Sequence, residues 1–299
     1  MTAARVKATP RRGRPANKWV ILLGAVPAVA VIGIFLGLPF VQTVQLAFSE
    51  WNGAGPVTFV GLDNFTGLLT SADFWQTMGR TAAFSLGATA GILVIGTLLS
   101  AAIAAGVPGA RFFRSLWFLP VVVPVSAAGV YWGAALQPQG GVVNAALTIF
   151  GGEPVAFLSD PSLALPTITL VWIWIHTGFA MLLILGAMNL VPVEVYEASH
   201  VDGAGTLRQF FAITLPIIRP TLVTVAMLEL IITFNGFAVV WAMTRGGPGS
   251  ATEILAVDVY RTAFEQGGYG AASAAALLGT IGLLVVGLIG LRGMRSSSE

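Results

Sequence analysis

The sequence predicts an all-α protein that crosses a membrane six times and carries a helix–turn–helix loop between the fourth and fifth crossings. Hydrophobic residues make up 56% of the 299 residues and charged residues only 9%, whereas a soluble domain carries about 25% charged residues. Such a chain cannot cover a water-facing surface. Its apolar residues also fall into six runs long enough to span a bilayer. The chain contains no cysteine, which excludes disulfides and cysteine-ligated metals.

The chain begins with a basic tail, residues 1–18, which we expect to be disordered and cytoplasmic. A nucleic-acid-binding arm is the alternative interpretation, but an apolar run that follows at once favours a role in membrane topology, with no nucleic acid as partner. That run, about 19–48, carries no charge and predicts the first span. A cleaved signal peptide would have a shorter apolar region of about 7–15 residues, so we expect an uncleaved anchor.

The remaining runs predict five further spans and complete a membrane domain over residues 19–295, followed by a short tail at 296–299. Asp63 is expected to cap a short interfacial helix in the first outer loop. Pro120 and Pro124 lie in the third span, where neighbouring helices or water must satisfy the freed carbonyls. The predicted boundaries of the five spans are about 81–107, 116–136, 163–190, 217–243 and 271–291.

Basic residues are distributed unevenly between the two sides of this topology. Twelve of the 15 lysines and arginines fall in the two tails, the 108–115 loop and the 191–220 loop. The other side holds only Arg80, Arg245 and Arg261. Because cytoplasmic loops are enriched in basic residues, both termini and the 191–220 loop are predicted to be cytoplasmic.

The 191–220 loop has a helical pattern on each side of a predicted corner. Pro192 can begin a helix, because the first helical position needs no N–H donor. Gly203 and Gly205 interrupt this helix, and glycine permits the positive φ of a sharp corner. A second short helical pattern follows, and Pro216 and Pro220 begin the next span.

The same loop carries a spaced motif: Glu197-Ala198-Ser199, three residues, Gly203, nine residues, then Ile213-x-Leu215-Pro216. It resembles the EAA loop of ABC importer permeases, and Ser199 in place of a second alanine is the only departure. In that family the loop is a coupling helix that fits a groove on a cytoplasmic ATPase. An ordinary amphipathic connector is the alternative. The resemblance implies a set of coupling residues: Glu197, Ala198, Ser199, Asp202, Gly203, Ile213, Leu215 and Pro216.

Further stretches resemble carbohydrate permeases of the maltose type. They are Val60–Phe65, Arg114–Pro120, and Thr244–Pro248 followed by Ala251–Glu253. The chain is similar to the first of two non-identical permeases in such importers, although it lacks the large extra outer domain and the added N-terminal helices of the enteric maltose subunit. The resemblance implies a second permease subunit, two copies of an ATPase, an extracytoplasmic solute-binding protein and a sugar substrate, in a bacterial plasma membrane.

Polar residues inside the spans are candidates for the substrate pathway, because intramembrane ionisable groups usually face a cavity or a partner. His176 lies in the fourth span and Glu229 in the fifth. The resemblance implies that the helix faces around them line the sugar site; the alternative is that both only bond a neighbouring helix. The two predicted faces are Trp172, Ile175, His176 and Phe179, and Glu229, Ile232, Thr233 and Gly236.

No pattern in the chain predicts an enzyme. The phosphate-binding GxxxxGK[ST] loop is absent, so ATP and Mg²⁺ are expected on the partner ATPase, with no cofactor or metal on this chain. His176 and His200 have no carboxylate or cysteine partner at ligand spacing in the sequence. Three alternatives stay open: a stand-alone secondary transporter, a structural subunit, and an importer of glycerol-phosphate or another polyol.

Overall fold

The computed structural model describes residues 26–295, with side chains described as far as residue 290. The predicted tails at 1–18 and 296–299 and the start of the predicted first span lie outside the described residues. Helix α1, Val26–Ala47, includes a π-helical turn at Gly33–Gly37. It lies along the last helix of the chain and leaves most of its apolar side chains exposed.

The segment after α1 contains the strands of the described region, a two-residue antiparallel pair. β1, Ser49–Glu50, pairs with β2, Thr58–Phe59. Helix α2, Asp63–Thr70, follows. With strands this short, the described fold remains helical in class.

The prediction that Asp63 caps α2 is wrong. Leu62 occupies the cap position and Asp63 is the first helical residue, where its negative charge still suits the positive end of the helix. The neighbouring Asn64 donates hydrogen bonds from Nδ2 to the carbonyls of Ala47 at 3.0 Å and Ser49 at 2.9 Å. This side chain therefore ties α2 to the end of α1.

Helix α3, Ala72–Ala104, starts nine residues before the predicted second span. Ser71 caps it by accepting a hydrogen bond from the Phe74 amide at 3.4 Å. At a rise of 1.5 Å per residue its 33 residues extend over ~50 Å, whereas a bilayer core is ~30 Å thick. The helix must therefore tilt or project from the membrane.

The predicted third span is two helices rather than one. α4, Ala110–Val122, and α5, Val125–Ala135, meet at a bend of 98°. Pro124 has no N–H to continue the ladder and disfavours helical backbone at the residue before it, and Val123 accordingly has φ −78° and ψ 129°. The break therefore follows from one proline.

The predicted fifth span, 217–243, is also wrong at its C-terminal end, because the helix stops at Phe234. Gly236 follows the break, where an added Cβ would lie 2.7 Å from Cε1 of Phe84. The remaining helices are α6 Val142–Ile149, α7 Pro161–Met188, α8 Val193–Val201, α9 Thr206–Phe234, α10 Phe237–Met243, α11 Leu255–Tyr260 and α12 Tyr269–Arg295.

Helix α7 forms the centre of the bundle and packs against α3, α4 and α9. Its approach to α4 depends on Gly178, where an added Cβ would lie 2.1 Å from the Trp117 carbonyl oxygen. Within the described residues, five helices are long and apolar enough to cross a membrane, or six if the bent α4–α5 pair counts as one span. This agrees with the predicted polytopic helical class.

Candidate functional site

The loop between α7 and α9 turns at Gly203. The Gly203 amide bonds to the His200 carbonyl at 3.0 Å and the Ala204 amide to the Ser199 carbonyl at 2.9 Å. This pair of bonds is the Schellman arrangement, which places a left-handed residue after the last helical turn. Gly203 has φ 78°, so α8 ends with the positive φ expected there. Gly205, by contrast, has φ −71° and needs no glycine for its backbone.

The sequence pattern suggested that the second arm of the loop is a separate short helix. In the described 191–220 loop the structure shows no such separate helix. The second arm runs without a break into the fifth span as α9, Thr206–Phe234. A π-helical turn at Phe210–Thr214 precedes Pro216, and the Leu215 amide bonds back to the Phe210 carbonyl. The wider turn accommodates a proline that cannot donate to the preceding turn. The arm and the span are therefore continuous helix.

Polar side chains tie α8 to the start of α9. Gln209 donates from Nε2 to Ser199 Oγ at 2.9 Å, and Ser199 Oγ donates to the Tyr196 carbonyl at 2.8 Å. The Tyr196 hydroxyl lies 2.9 Å from Thr214 Oγ1. Ser199, the one departure from the motif, is buried here and makes hydrogen bonds that alanine cannot.

The predicted coupling residues divide into an exposed set and a packed set. Glu197, Ala198, Asp202, Gly203 and Pro216 are exposed, whereas Ile213 and Leu215 are partly buried and Ser199 is buried. The exposed residues of α8 and the corner thus present acidic side chains outward. The packed residues hold the loop against the bundle.

Large apolar side chains around this corner are also uncovered. Val201 is 88% exposed, Leu207 75% and Phe211 64%. Solvent-exposed apolar side chains grouped in this way mark contact surfaces. Beside them, a cavity of about 620 Å³ opens between the end of α3 and the loop, lined by Leu98, Ala101, Tyr196, Leu207 and Phe210, among others.

The two predicted pathway faces meet across the contact between α7 and α9. Trp172 donates from Nε1 to Thr233 Oγ1 at 2.9 Å. His176 Nδ1 lies 3.2 Å from Glu229 Oε2, and the Trp172 indole stacks on the imidazole with ring centroids 4.3 Å apart. His176 therefore has a carboxylate partner that sequence spacing did not reveal.

This polar cluster is buried but incompletely hydrogen-bonded. The Glu229 side chain is fully buried. Neither Glu229 oxygen nor His176 Nε2 has a well-formed hydrogen bond to any described residue, so the 3.2 Å approach is an electrostatic contact without good donor–acceptor alignment. Buried polar atoms are normally satisfied by protein or by water. The arrangement therefore leaves capacity for hydroxyl groups or water at this point.

The other predicted pathway residues are divided between the cluster and its surroundings. Ile175 and Gly236 are buried near it. Phe179 and Ile232 are 38% and 39% exposed on the outside of the bundle, so they do not join the polar cluster.

Two polar residues that organise the predicted outer loops were missed. Asn144 is buried, donates to the Gln137 and Val155 carbonyls at 3.0 Å each, and accepts from the Val155 amide at 2.7 Å. Thr252 closes the Gly-rich turn by donating from Oγ1 to the Gly247 carbonyl at 2.7 Å. Asn144 could have been found in the sequence, because it is a polar residue inside an otherwise mostly apolar helical run.

The predicted third outer loop also holds a charged cluster. Arg261 Nη1 donates to Glu253 Oε2 at 2.6 Å. Burial, and then the nearby Glu253 charge, raises the pKa of Asp258 from 3.8 to about 6. Asp258 and Glu253 line a polar cavity of about 370 Å³ together with Arg80. Within the described residues no group of three or more metal-ligating side chains occurs.

Comparison with known proteins assigns the chain to a family. Residues 19–295 match the family described as binding-protein-dependent transport system inner membrane component. A sulfoquinovosyl glycerol transport system permease from Agrobacterium fabrum is 32% identical, over 85% of this chain and 83% of the relative. A diacetylchitobiose uptake system permease from Streptomyces coelicolor is also 32% identical, over 82% and 74%.

The fold is likewise that of a solved transporter subunit. A chain of a bacterial ABC transporter involved in the import of the acidic polysaccharide alginate has a TM-score of 0.82 and 24% identity, covering 94% of this chain and 97% of that one. With the match over residues 19–295, this chain belongs to the family of inner membrane components of binding-protein-dependent transport systems.

Proposed function

We propose that the chain is one of two non-identical permease subunits of an ATP-driven importer that carries a sugar or oligosaccharide. The observation that carries the proposal is the family match over residues 19–295. Relatives of similar length are permeases for a sulfoquinovosyl glycerol, for diacetylchitobiose and, in Thermococcus litoralis, for trehalose and maltose. A carbohydrate is the chemistry that these names share.

The 191–220 loop is proposed to couple transport to a cytoplasmic ATPase that binds ATP and Mg²⁺. Support comes from the exposed acidic residues Glu197 and Asp202 and from the uncovered apolar side chains beside them. Glu197 is expected to contact a basic group of the ATPase. Because α9 continues into the membrane without a break, a displacement of the corner is transmitted directly to the fifth span. Pro192 joins α8 to α7 on the other side.

The α7–α9 polar cluster is proposed to contribute to the substrate pathway. Its buried, unpaired oxygen and nitrogen atoms on Glu229 and His176 suit sugar hydroxyls, which donate and accept hydrogen bonds. The Trp172 indole is itself buried and stacked on the His176 imidazole, so it positions the imidazole within the cluster. A phosphate ester would instead favour arginine or lysine. Arg80, near one end of α3, is the basic residue that comes nearest to the predicted membrane interior, and this scarcity of cations disfavours the glycerol-phosphate alternative.

The proposal is tested by reconstituting this chain with the second permease, the ATPase and the solute-binding protein in vesicles. We expect uptake of a disaccharide that requires both ATP and the binding protein. Uptake by this chain alone under an ion gradient would instead establish a secondary transporter. A complete assembly that binds but never moves a solute would indicate a structural subunit.

The role of the polar cluster needs a separate variant pair. Glu229→Gln keeps the shape of the side chain but removes its charge and turns one acceptor into a donor, and Leu170→Val changes an exposed side chain of α7 that belongs to neither predicted face. We expect Glu229→Gln to change the sugar concentration for half-maximal uptake while Leu170→Val leaves it unchanged. If Glu229→Gln alters only the amount of folded protein, the cluster holds helices together and does not contact substrate.

A further inference from the structure

Six aromatic side chains form a continuous row that extends from the predicted outer loops to the break after α9. The centroids of neighbouring rings are 4.7–5.8 Å apart, and none of the six side chains is buried. Tyr260 lies at the middle of the row, because its ring contacts three of the others. In order from the loop after α1, the members of this aromatic row are Trp51, Tyr269, Phe264, Tyr260, Trp241 and Phe237.

The inner end of the aromatic row lies beside the α7–α9 polar cluster. Phe237 begins α10 directly after Gly236, and Phe84 lies against Gly236. The Phe84 ring packs on the Trp172 indole in a T-shaped arrangement, with centroids 5.7 Å apart. A ligand that moves along the row from Trp51 to Phe237 therefore arrives next to the cluster.

Charged side chains accompany the outer part of the aromatic row. Arg261 follows Tyr260 in the chain, and its side chain is 34% exposed. Glu265 follows Phe264, and its side chain is 48% exposed. Because ionised side chains are costly in the hydrocarbon core of a bilayer, this part of the row borders water.

Arg245 adds a further charged group at the inner part of the aromatic row. Its φ is 53°, a left-handed backbone that is uncommon for residues other than glycine, and strained backbone of this kind concentrates at functional sites. The guanidinium carbon lies 5.9 Å from the centroid of the Trp241 ring, and the residue is exposed. Arg245 therefore presents hydrogen-bond donors beside an aromatic face.

Aromatic faces and hydrogen-bonding groups in this arrangement fit a sugar chain. The faces of an aromatic ring carry negative charge, so they attract the partly positive C–H groups of a sugar ring. The charged side chains, together with the O–H and N–H groups of tyrosine and tryptophan, suit the hydroxyl groups at its edge. A lipid acyl chain would make no use of the charges, and a docked protein would not need a row that continues to a buried polar cluster.

We infer that the aromatic row binds an oligosaccharide and guides it to the α7–α9 polar cluster. The inference rests on the proposed function, and it adds a preference for longer sugar chains. Because the row comprises several rings in succession, a longer chain stacks on more of them, whereas a monosaccharide covers only one.

The row is tested on the complete transporter in lipid nanodiscs, without ATP and without the solute-binding protein. Malto-oligosaccharides and chito-oligosaccharides of increasing length are titrated, and binding is measured by calorimetry. We expect the affinity to increase with chain length in at least one of the two series. Binding of neither series by the unaltered transporter would overturn the inference.

Two matched variants assign the chain-length dependence to the aromatic row. Phe264→Leu removes a ring that is 65% exposed and keeps an apolar side chain, so folding is preserved. It should weaken binding of the longer chains by about two- to tenfold, the range of one aromatic contact, and reduce the dependence on length. Phe150→Leu makes the same exchange at a phenylalanine outside the row that is 90% exposed, and it should change neither. Equal behaviour of the two variants would overturn the inference.

Two further measurements distinguish a sugar from the other ligands that aromatic side chains attract. If Phe264→Leu weakens binding of the solute-binding protein but not of sugars, the row is a protein-docking surface and the inference is wrong. If brominated lipids quench the part of the tryptophan emission that Trp241→Phe removes, the row faces lipid and the inference is equally wrong. Failure of the transport proposal is recognised separately, as absence of sugar uptake by the unaltered transporter when ATP and the solute-binding protein are present.

Discussion

Replacing Gly203 by valine tests whether the corner of the 191–220 loop is a rigid lever. Gly203 has φ 78°, and an added Cβ would meet no atom within 4 Å. The whole cost is therefore backbone strain, about 1–2 kcal/mol for an ordinary L-residue in the left-handed region and more for a β-branched one. A cost of this size shifts the balance between the turned and a relaxed loop by about 5- to 30-fold.

We expect Gly203→Val to lower ATP-driven sugar uptake severalfold while the ATPase retains its basal activity and the chain inserts normally. The assay measures uptake and ATP hydrolysis on the same reconstituted vesicles. Gly203→Asn should retain most uptake, because asparagine tolerates left-handed backbone. Gly205→Ala should behave as the unaltered chain, since Gly205 has ordinary φ and open space around it. Normal uptake by Gly203→Val at normal membrane abundance would refute the lever.

Three further predictions concern packing, the loop and the predicted outer face. Gly178→Ala should lower the free energy of unfolding by about 1–3 kcal/mol, because the added Cβ would lie 2.1 Å from the Trp117 carbonyl oxygen. Ser199→Ala should cost the loop about 0.5–1.5 kcal/mol by removing its Gln209 bond, measured as faster amide exchange in α8. Asp258 binds a proton more tightly in the folded state, so the free energy of unfolding falls as pH rises from 3.8 to about 6. Asp258→Asn should make this fall smaller, measured as the pH dependence of the unfolding temperature of the complex.

Each of these predictions has a matched control. Gly186→Ala in the same helix meets no atom within 4 Å and should not destabilise. Ser115→Ala removes a serine that bonds only to its own helix and should not affect exchange in α8. Glu265→Gln removes a half-exposed charge that does not contribute to the Asp258 shift. Equal effects of a substitution and its control would contradict the corresponding explanation.

Composition and periodicity were enough to predict the helical class, because long uncharged apolar runs have few alternatives. Helix ends were harder to predict. The run at 217–243 is predominantly apolar on both sides of Asn235 and Gly236, yet the helix ends at Phe234, and Phe84 lies against Gly236 just after the break. The break at Pro124 was not distinguishable from a kink in the sequence, because Pro120 lies inside α4 without ending it whereas the residue before Pro124 is extended.

In the candidate site, too, the features set by local sequence were predictable and the contacts between helices were not. Gly203 was predictable, because a positive φ after a helix is a local requirement that glycine meets. The approach of His176 to Glu229 joins residues on two helices, so no spacing within one segment indicates it. The hydrogen bonds of Ser199 to Gln209 and Tyr196 depend on how α8 folds back on α9, and in the sequence Ser199 was only a departure from the motif.

The most direct test of the account is the side of the membrane from which Glu197 can be reached. The chain has no cysteine, so Glu197→Cys introduces its only thiol, at an exposed position of α8. The account predicts that a membrane-impermeant maleimide labels this thiol in inside-out vesicles and not in intact cells, and that added ATPase protects it. Labelling from outside intact cells would contradict the placement of the loop and with it the proposed coupling to ATP hydrolysis.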